Sequence, residues 1–301
     1  MKNMKTVAGM LCLAGILSLG MGTTVFAEDG DSHYPVTITT YNYENEPVEM
    51  TFEKAPEKVF AYANSNIEEL LALGLGDKIV AACGLDGDVR EDLKDEFDKI
   101  QYMDTKPSKE EVVAMEPDFI AAWYSSFSDD WLSDVSFWQE RDVNTYMSLN
   151  SAAKGPASEF PRTIEDEYED ILNLGKIFDC EDKAEEIVDQ MKGEIDKVKE
   201  HVEGTDPLSV AVLEDSFRVY GTETLGGNIP ETLGAELKLG AENSENVGAE
   251  DLIAADPDVL FMINYDGFMT ADEAIADITD NPAYASLSAV KNNKVFSVNL
   301  N

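Results

Sequence analysis

A chain of 301 residues with 44% hydrophobic content is long enough for one large domain or two smaller ones, and apolar enough for a real core. Its 61 acidic residues against 22 Lys plus Arg give a formal charge of −39, which opposes binding to nucleic-acid phosphates or to an anionic membrane surface. The excess does not bear on fold and reads first as a strongly solvated exterior.

The chain opens with a basic "MKNMK", an apolar "TVAGMLCLAGILSLGMG", and then "TVFA", which sets Val25 and Ala27 where a signal peptidase takes small residues. Residues 1–27 are therefore expected to be a signal peptide, and the protein to be exported to the periplasm or the outer face of the cytoplasmic membrane. Leu11 precedes Cys12 where a lipid-modification box needs a small residue, so lipidation is not the reading. No other apolar run reaches about 18 residues. Cys83 and Cys180 read as two thiols, although export would permit a disulfide. The only histidines are His33 and His201, and no Cys or His pair has zinc-ligand spacing, so no His-built metal site is expected.

Alternation over residues 36–52, broken at Glu44–Pro47, predicts a β-hairpin. A strand follows at 58–63, then a helix at 65–76 with Asn66 as cap and Gly74 or Gly76 as its end, then a strand at 78–84. "KPSKEEVVAMEPDFIAAW" gives a capped helix, a Pro-Asp break and a strand at Phe119–Trp123. "WLSDVSFWQERD" reads as a helix and 144–149 as a strand. Such alternation implies crossover units and a mainly parallel sheet.

Two helices come next. The second, "EDKAEEIVDQMKGEIDKVKEHV", carries Ala184, Ile187, Val188, Met191, Ile195 and Val198 as one stripe and spans about 33 Å. It is either a strut lying along two lobes or a surface helix of one. Alternation then restarts, with strands at 208–214 and 217–221, a helix in "NIPETLGAEL", a capped helix, Pro-Asp and strand in "GAEDLIAADPDVLFMI", a helix in "TADEAIADI" and a last strand at 294–299.

Glu110, Pro117 and Asp118 thus stand at the same offsets as Glu250, Pro257 and Asp258. One βα unit is used in each half, with Pro stopping the helix because it lacks an N–H and disfavours a helical residue before it. The expected fold is α/β: two Rossmann-like lobes with mainly parallel sheets, residues 28–180 and 205–301, joined by one long bridging helix at 181–204. Ligands of open α/β sheets bind outside the carboxyl ends of the strands, which here face a cleft between the lobes.

"PVEMTFEKAPEKVFAYANSNIEELLALGLGDKIVAA", "EEVVAMEPDFIAAW" and "NPAYASLSAVKNNKVFSVN", taken in order, resemble the iron-siderophore and cobalamin class of ABC-transporter substrate-binding proteins over roughly residues 36–299. That resemblance implies two lobes with little hinge motion, a shallow cleft for a large chelate, and delivery of the ligand to permease subunits by a protein expected to be monomeric and free of cofactor. Members of the class usually continue past the last strand with a Ser/Gly-Arg segment and a terminal helix, so the resemblance leaves the second lobe open to being incomplete at Asn301.

A large, partly aromatic chelate needs flat side chains and a few polar contacts. The strand-end loops offer Tyr62, Asn64, Trp123, Tyr124, Phe127 and Asn150 in the first lobe, and Arg218, Tyr220, Asn264, Tyr265 and Phe268 in the second. Four arginines in the whole chain, Arg90, Arg141, Arg162 and Arg218, favour a neutral, hydroxamate-like ferric chelate over a strongly anionic one. Cobalamin is the alternative ligand, and haem a weaker one. The class docks on its permease through one carboxylate per lobe. The matching positions are Glu68 in the first lobe and Asn228 in the second, where Glu231 one turn on can substitute. A carboxylate-based hydrolase and an adhesion module are the readings from other classes, but no Gly-x-Ser-x-Gly elbow or phosphate loop is present.

Overall fold

The computed structural model describes residues 33–151, 161–214, 217–240, 247–264 and 269–299; the expected signal peptide, Tyr265 and Phe268 lie outside them. β1 (Val36–Tyr41) and β2 (Pro47–Phe52) form the expected antiparallel hairpin. Asn42 Oδ1 accepts the backbone N–H groups of Glu44 and Glu46 to close its turn. There follow β3 (Val59–Tyr62), α1 (Asn64–Ala72), β4 (Ile79–Cys83), α2 (Lys94–Phe97), β5 (Tyr102–Met103), α3 (Lys109–Ala114), β6 (Phe119–Ala122), α4 (Val135–Gln139) and β7 (Asn144–Met147). Strands β3 to β7 make a parallel sheet in the order β5-β4-β3-β6-β7. Its central strands are continuous apolar runs, as a sheet covered on both faces requires.

Two helices come next, α5 (Ile164–Ile177) and α6 (Glu181–Val202). The second lobe holds β8 (Ser209–Glu214), α7 (Leu225–Thr232), β9 (Glu236–Leu237), α8 (Ala249–Ala255), β10 (Val259–Asn264), α9 (Ala271–Thr279), α10 (Ser288–Lys291) and β11 (Val295–Asn299). Its sheet is also parallel, in the order β11-β10-β8-β9. The fold is thus the two-lobed α/β arrangement expected from the sequence.

The repeated phrase has the same structure twice. The residues before the two prolines, Glu116 (φ 51°) and Asp256 (φ 39°), are both left-handed, a common helix-ending conformation, and the proline that follows cannot continue the helix. The aspartate after each proline then caps the neighbouring strand. Asp118 accepts the backbone N–H groups of Glu57 and Lys58 just before β3, and Asp258 accepts the N–H and hydroxyl of Ser209 at the start of β8. The phrase therefore both stops a helix and sets the height of two adjacent strands.

Three local expectations are corrected. Asn66 is not a helix cap: α1 starts at Asn64, and the Asn66 amide instead donates to the Tyr62 carbonyl. "WLSDVSFWQERD" is helical only over Val135–Gln139, where Asp134 caps a single turn. "FRVYG" forms isolated bridging rather than a strand, Val219 pairing antiparallel with Leu213 as the chain returns from β8.

Helix α6 is unbroken over 22 residues. Its first half is buried on α5, where Gly175 permits the approach: a Cβ there would stand 2.5 Å from that of Ala184. Ala184 and Val188 belong to the core of the first lobe. The stripe then emerges, Val198 being 41% exposed, and Val198 and Val202 end beside Val210, Val212, Phe261 and Val298 of the second sheet, lining an apolar groove of about 380 Å³.

Candidate functional site

The carboxyl ends of β3, β4 and β6 carry a compact aromatic cluster. Tyr62, half-buried at the end of β3, packs edge-on to Trp131 with centroids 4.7 Å apart. Gly84, at φ +85°, makes room for it, since a Cβ would come within 2.2 Å of the Tyr62 ring. Lys106 Nζ lies 3.6 Å from the Trp131 centroid and 5.3 Å from that of Tyr62. Partial burial against these rings holds its ammonium below the usual lysine range, while Cys83 pulls the other way. Burial, with Asp86 adding, raises the Tyr62 phenol.

Beside it, Trp123 donates its indole N–H to Ser65 Oγ at 3.0 Å, tying the end of β6 to the start of α1. Tyr124 stacks on Tyr43 of the hairpin turn, centroids 5.9 Å apart and rings 10° from parallel, and its backbone N–H donates to Ser151 Oγ. Asn150 donates to the Thr163 carbonyl and to Glu167. Two expected lining residues turn inward. Phe127 is fully buried, and Asn64 is buried with Oδ1 accepting the Asp86 N–H. Both hold loops in place and offer no face to a ligand.

The second lobe contributes Arg218, whose guanidinium lies 5.8 Å from the Tyr220 ring, and Tyr220, whose hydroxyl donates to Glu214. Asn264 accepts from the Ser297 hydroxyl. The lobes touch directly here. The Arg162 N–H donates to the Glu223 carbonyl, and the Ile164 N–H donates to Asn228 Oδ1, both at 3.0 Å. Asn228, at the position where the class carries an acid, is thus engaged in joining the lobes. Glu231 is exposed, whereas Glu68 is half-buried and accepts the Arg90 N–H. Burial raises the Glu68 carboxyl.

Arg162 stands at this junction. Its charge is felt by Tyr124 of one lobe and by Arg218 and Tyr220 of the other. Burial first, then Arg218, push its guanidinium down. Its Nε is buried with no hydrogen-bond partner among the described residues. Arg90 and Arg141 pair with Asp92 and Glu140, but neither Arg162 nor Arg218 forms an ion pair among the described residues.

Beneath this floor lie Glu69, Glu167 and Asp170. Burial, reinforced by their mutual repulsion, pushes Glu69 and Asp170 well up; Glu167 is also raised. Asp170 accepts the Tyr146 hydroxyl and the Leu149 N–H, while Glu69 Oε2 is buried without a partner among the described residues.

Lys106, Trp131, Arg162 and Ser65 were not among the residues expected from sequence. A model of the family described as periplasmic binding protein matches residues 59–299. The chain belongs to this family. A periplasmic binding protein from Veillonella parvula is 32% identical, covers 88% of this chain and 84% of its own, and superposes with a TM-score of 0.81. An ABC-type Fe3+-hydroxamate transport system structure from Saccharomonospora viridis is 24% identical over 89% and 92% of the two chains, TM-score 0.70. An uncharacterized ABC transporter substrate-binding lipoprotein of Bacillus subtilis is 24% identical over 99% of this chain and 90% of its own. The family is one of solute-binding proteins, and no described helix is long and apolar enough to cross a membrane.

Proposed function

We propose that this protein is the extracytoplasmic substrate-binding subunit of an ABC importer, capturing a ferric siderophore between its lobes and handing it to the permease. The single observation that carries this reading is the meeting of the lobes at Arg162, whose backbone N–H donates to the Glu223 carbonyl, with Arg218 set against the Tyr220 ring in the second lobe, neither guanidinium having an ion-pair partner among the described residues. Tyr62, Trp123, Asn150 and Asn264 complete the proposed lining, joined by Lys106; Tyr265 belongs to the same proposal. The family membership and the relative named as an ABC-transporter lipoprotein support the transport role. Glu231 and Glu68 are the proposed docking carboxylates, and a single copy of the chain is the proposed working unit.

Arginine scarcity favours a hydroxamate-like chelate. The two guanidiniums favour a second reading of the ligand, a ferric chelate that turns an anionic group toward them, since each charged hydrogen bond contributes about 1.5–3 kcal/mol. Tryptophan fluorescence during titration separates the two. Ferric chelates should quench the Trp123 emission. Arg162→Gln should weaken an anionic ferric chelate at least tenfold and leave a neutral ferric hydroxamate unchanged. Strong quenching by a corrinoid with none by any ferric chelate would overturn the iron reading. For docking, Glu231→Gln should leave affinity intact and impair uptake in cells; lost affinity would place that carboxylate in the cleft.

A further inference from the structure

Outside this cleft, the start of the described chain meets the α5–α6 junction. His33 Nε2 lies 2.7 Å from the Lys176 carbonyl oxygen. A carbonyl only accepts, so Nε2 carries the hydrogen and Nδ1 points the other way. There Nδ1 faces Glu181 Oε1 at 3.1 Å and Asp179 Oδ1 at 3.4 Å. The ligating atoms of all three side chains lie within 4.8 Å of one another. With Nδ1 unprotonated, a ring lone pair and two carboxylates, all acceptors, are turned toward one point, which a metal ion or a proton on Nδ1 would satisfy.

We infer that His33, Asp179 and Glu181 form a binding site for a first-row divalent transition metal such as Zn2+, with a remaining position open to water. The two separations from His33 match such a site. With metal–ligand bonds of about 2.0–2.1 Å, neighbouring ligand atoms of a tetrahedral site stand about 3.3 Å apart, between the two observed separations. The donor set suits the choice of metal, since imidazole favours Zn2+ or Ni2+ over Mg2+ or Ca2+. The Nε2–H bond to a backbone carbonyl is the outer contact that fixes a ligating imidazole in orientation and tautomer. The ring is 20% exposed, so it is held while the two acids keep the site open to solvent. Among the described residues neither Asp179 nor Glu181 has a Lys or Arg partner, the imidazole being their ion-pair neighbour there. Glu181 begins α6, whose amino-terminal dipole opposes a cation with roughly half a charge, against two full carboxylate charges. A metal here would clip the entry of the folded chain to the base of the long helix.

The spacing rule that argued against a His-built site compares neighbours in sequence, whereas these ligands are 146 and 148 residues apart from His33. The test uses the full chain, stripped with a chelator and titrated with Zn2+ alone at neutral pH against a chromophoric competitor. The intact protein should take up one equivalent more tightly bound metal than His33→Gln or Asp179→Asn, each weakening that equivalent tenfold or more. Co2+ in place of Zn2+ should give visible d–d absorption that His33→Gln abolishes. His33→Gln keeps an N–H for the Lys176 carbonyl, so its loss of metal cannot be attributed to a lost backbone contact. Equal uptake and equal affinity in all three proteins would overturn the site and leave a protonated imidazole between the two carboxylates.

Discussion

In the first lobe a single core runs from Ile38 of the hairpin to Val188 of α6, and both faces of the five-stranded sheet are covered. In the second lobe the sheet divides the core. Ala211, Leu213, Leu260 and Met262 face Ala274, Ile278 and Leu287 of the helical side, while Val210, Val212, Val259 and Ile263 face the open groove, with Val298 43% exposed. The contrast is instructive because the local unit is the same: residues 111–120 and 251–260 repeat one pattern of buried and exposed positions. Sequence sets the unit, and what packs on its far side sets how much free energy the unit contributes.

The largest test of that contrast is a truncation in each sheet. Phe119→Ala in β6 should cost about 3–5 kcal/mol in urea unfolding. Phe261→Ala, on the groove face of β10, should cost about 1 kcal/mol. Equal losses would mean that the groove face is covered in solution. Next comes the shared cap. Asp118→Ala leaves the Glu57 and Lys58 N–H groups without their acceptor and should cost about 1.5–3 kcal/mol. Asp258→Ala should act in the same direction through Ser209, and an effect on one only would break the equivalence of the two units.

A smaller effect separates the lobes by pH. The Ser209 bonds hold the Asp258 carboxyl below its usual range, so its contribution is present above the ordinary carboxylate pKa and is lost as pH falls through the lowered one. Glu69 is opposite in sign. Its raised folded-state pKa gives stability that is full in acid and is lost as pH rises through that value. Glu69→Gln should therefore raise the Tm at pH 7 more than at pH 4.5, and Asp258→Asn should lower it at pH 7 and converge with the parent protein in acid. A Glu69→Gln protein with the parent's pH profile would show that this carboxyl is not buried in solution.

The hairpin, the alternation, the paired Pro-Asp phrase and the extent of α6 were legible because each is written in a period or a punctuating residue. The same logic placed Tyr62, Trp123 and Tyr124 at strand ends. It failed for Phe127, because an aromatic in a loop looks the same whether it points out or in, and burial is decided by residues such as Leu132 and Trp138 that follow it. Lys106 and Arg162 were missed for a related reason. Each is a lone cation in an aperiodic segment, and its meaning comes from partners brought in from elsewhere: Tyr62 and Trp131 for one, Tyr124 and Arg218 for the other. "FRVYG" had strand composition, but among the described residues it makes isolated bridging, such as Val219 with Leu213, and no strand.

The two hydrogen bonds from Arg162 and Ile164 to Glu223 and Asn228 join halves that α6 already connects. Swinging the halves about α6 would break these two bonds, a cost of about 1 kcal/mol each. The outline of the carrier should then be almost the same with and without cargo. A membrane partner would have to tell full from empty by the cargo's own surface at the mouth of the gap, rather than by any change of overall shape.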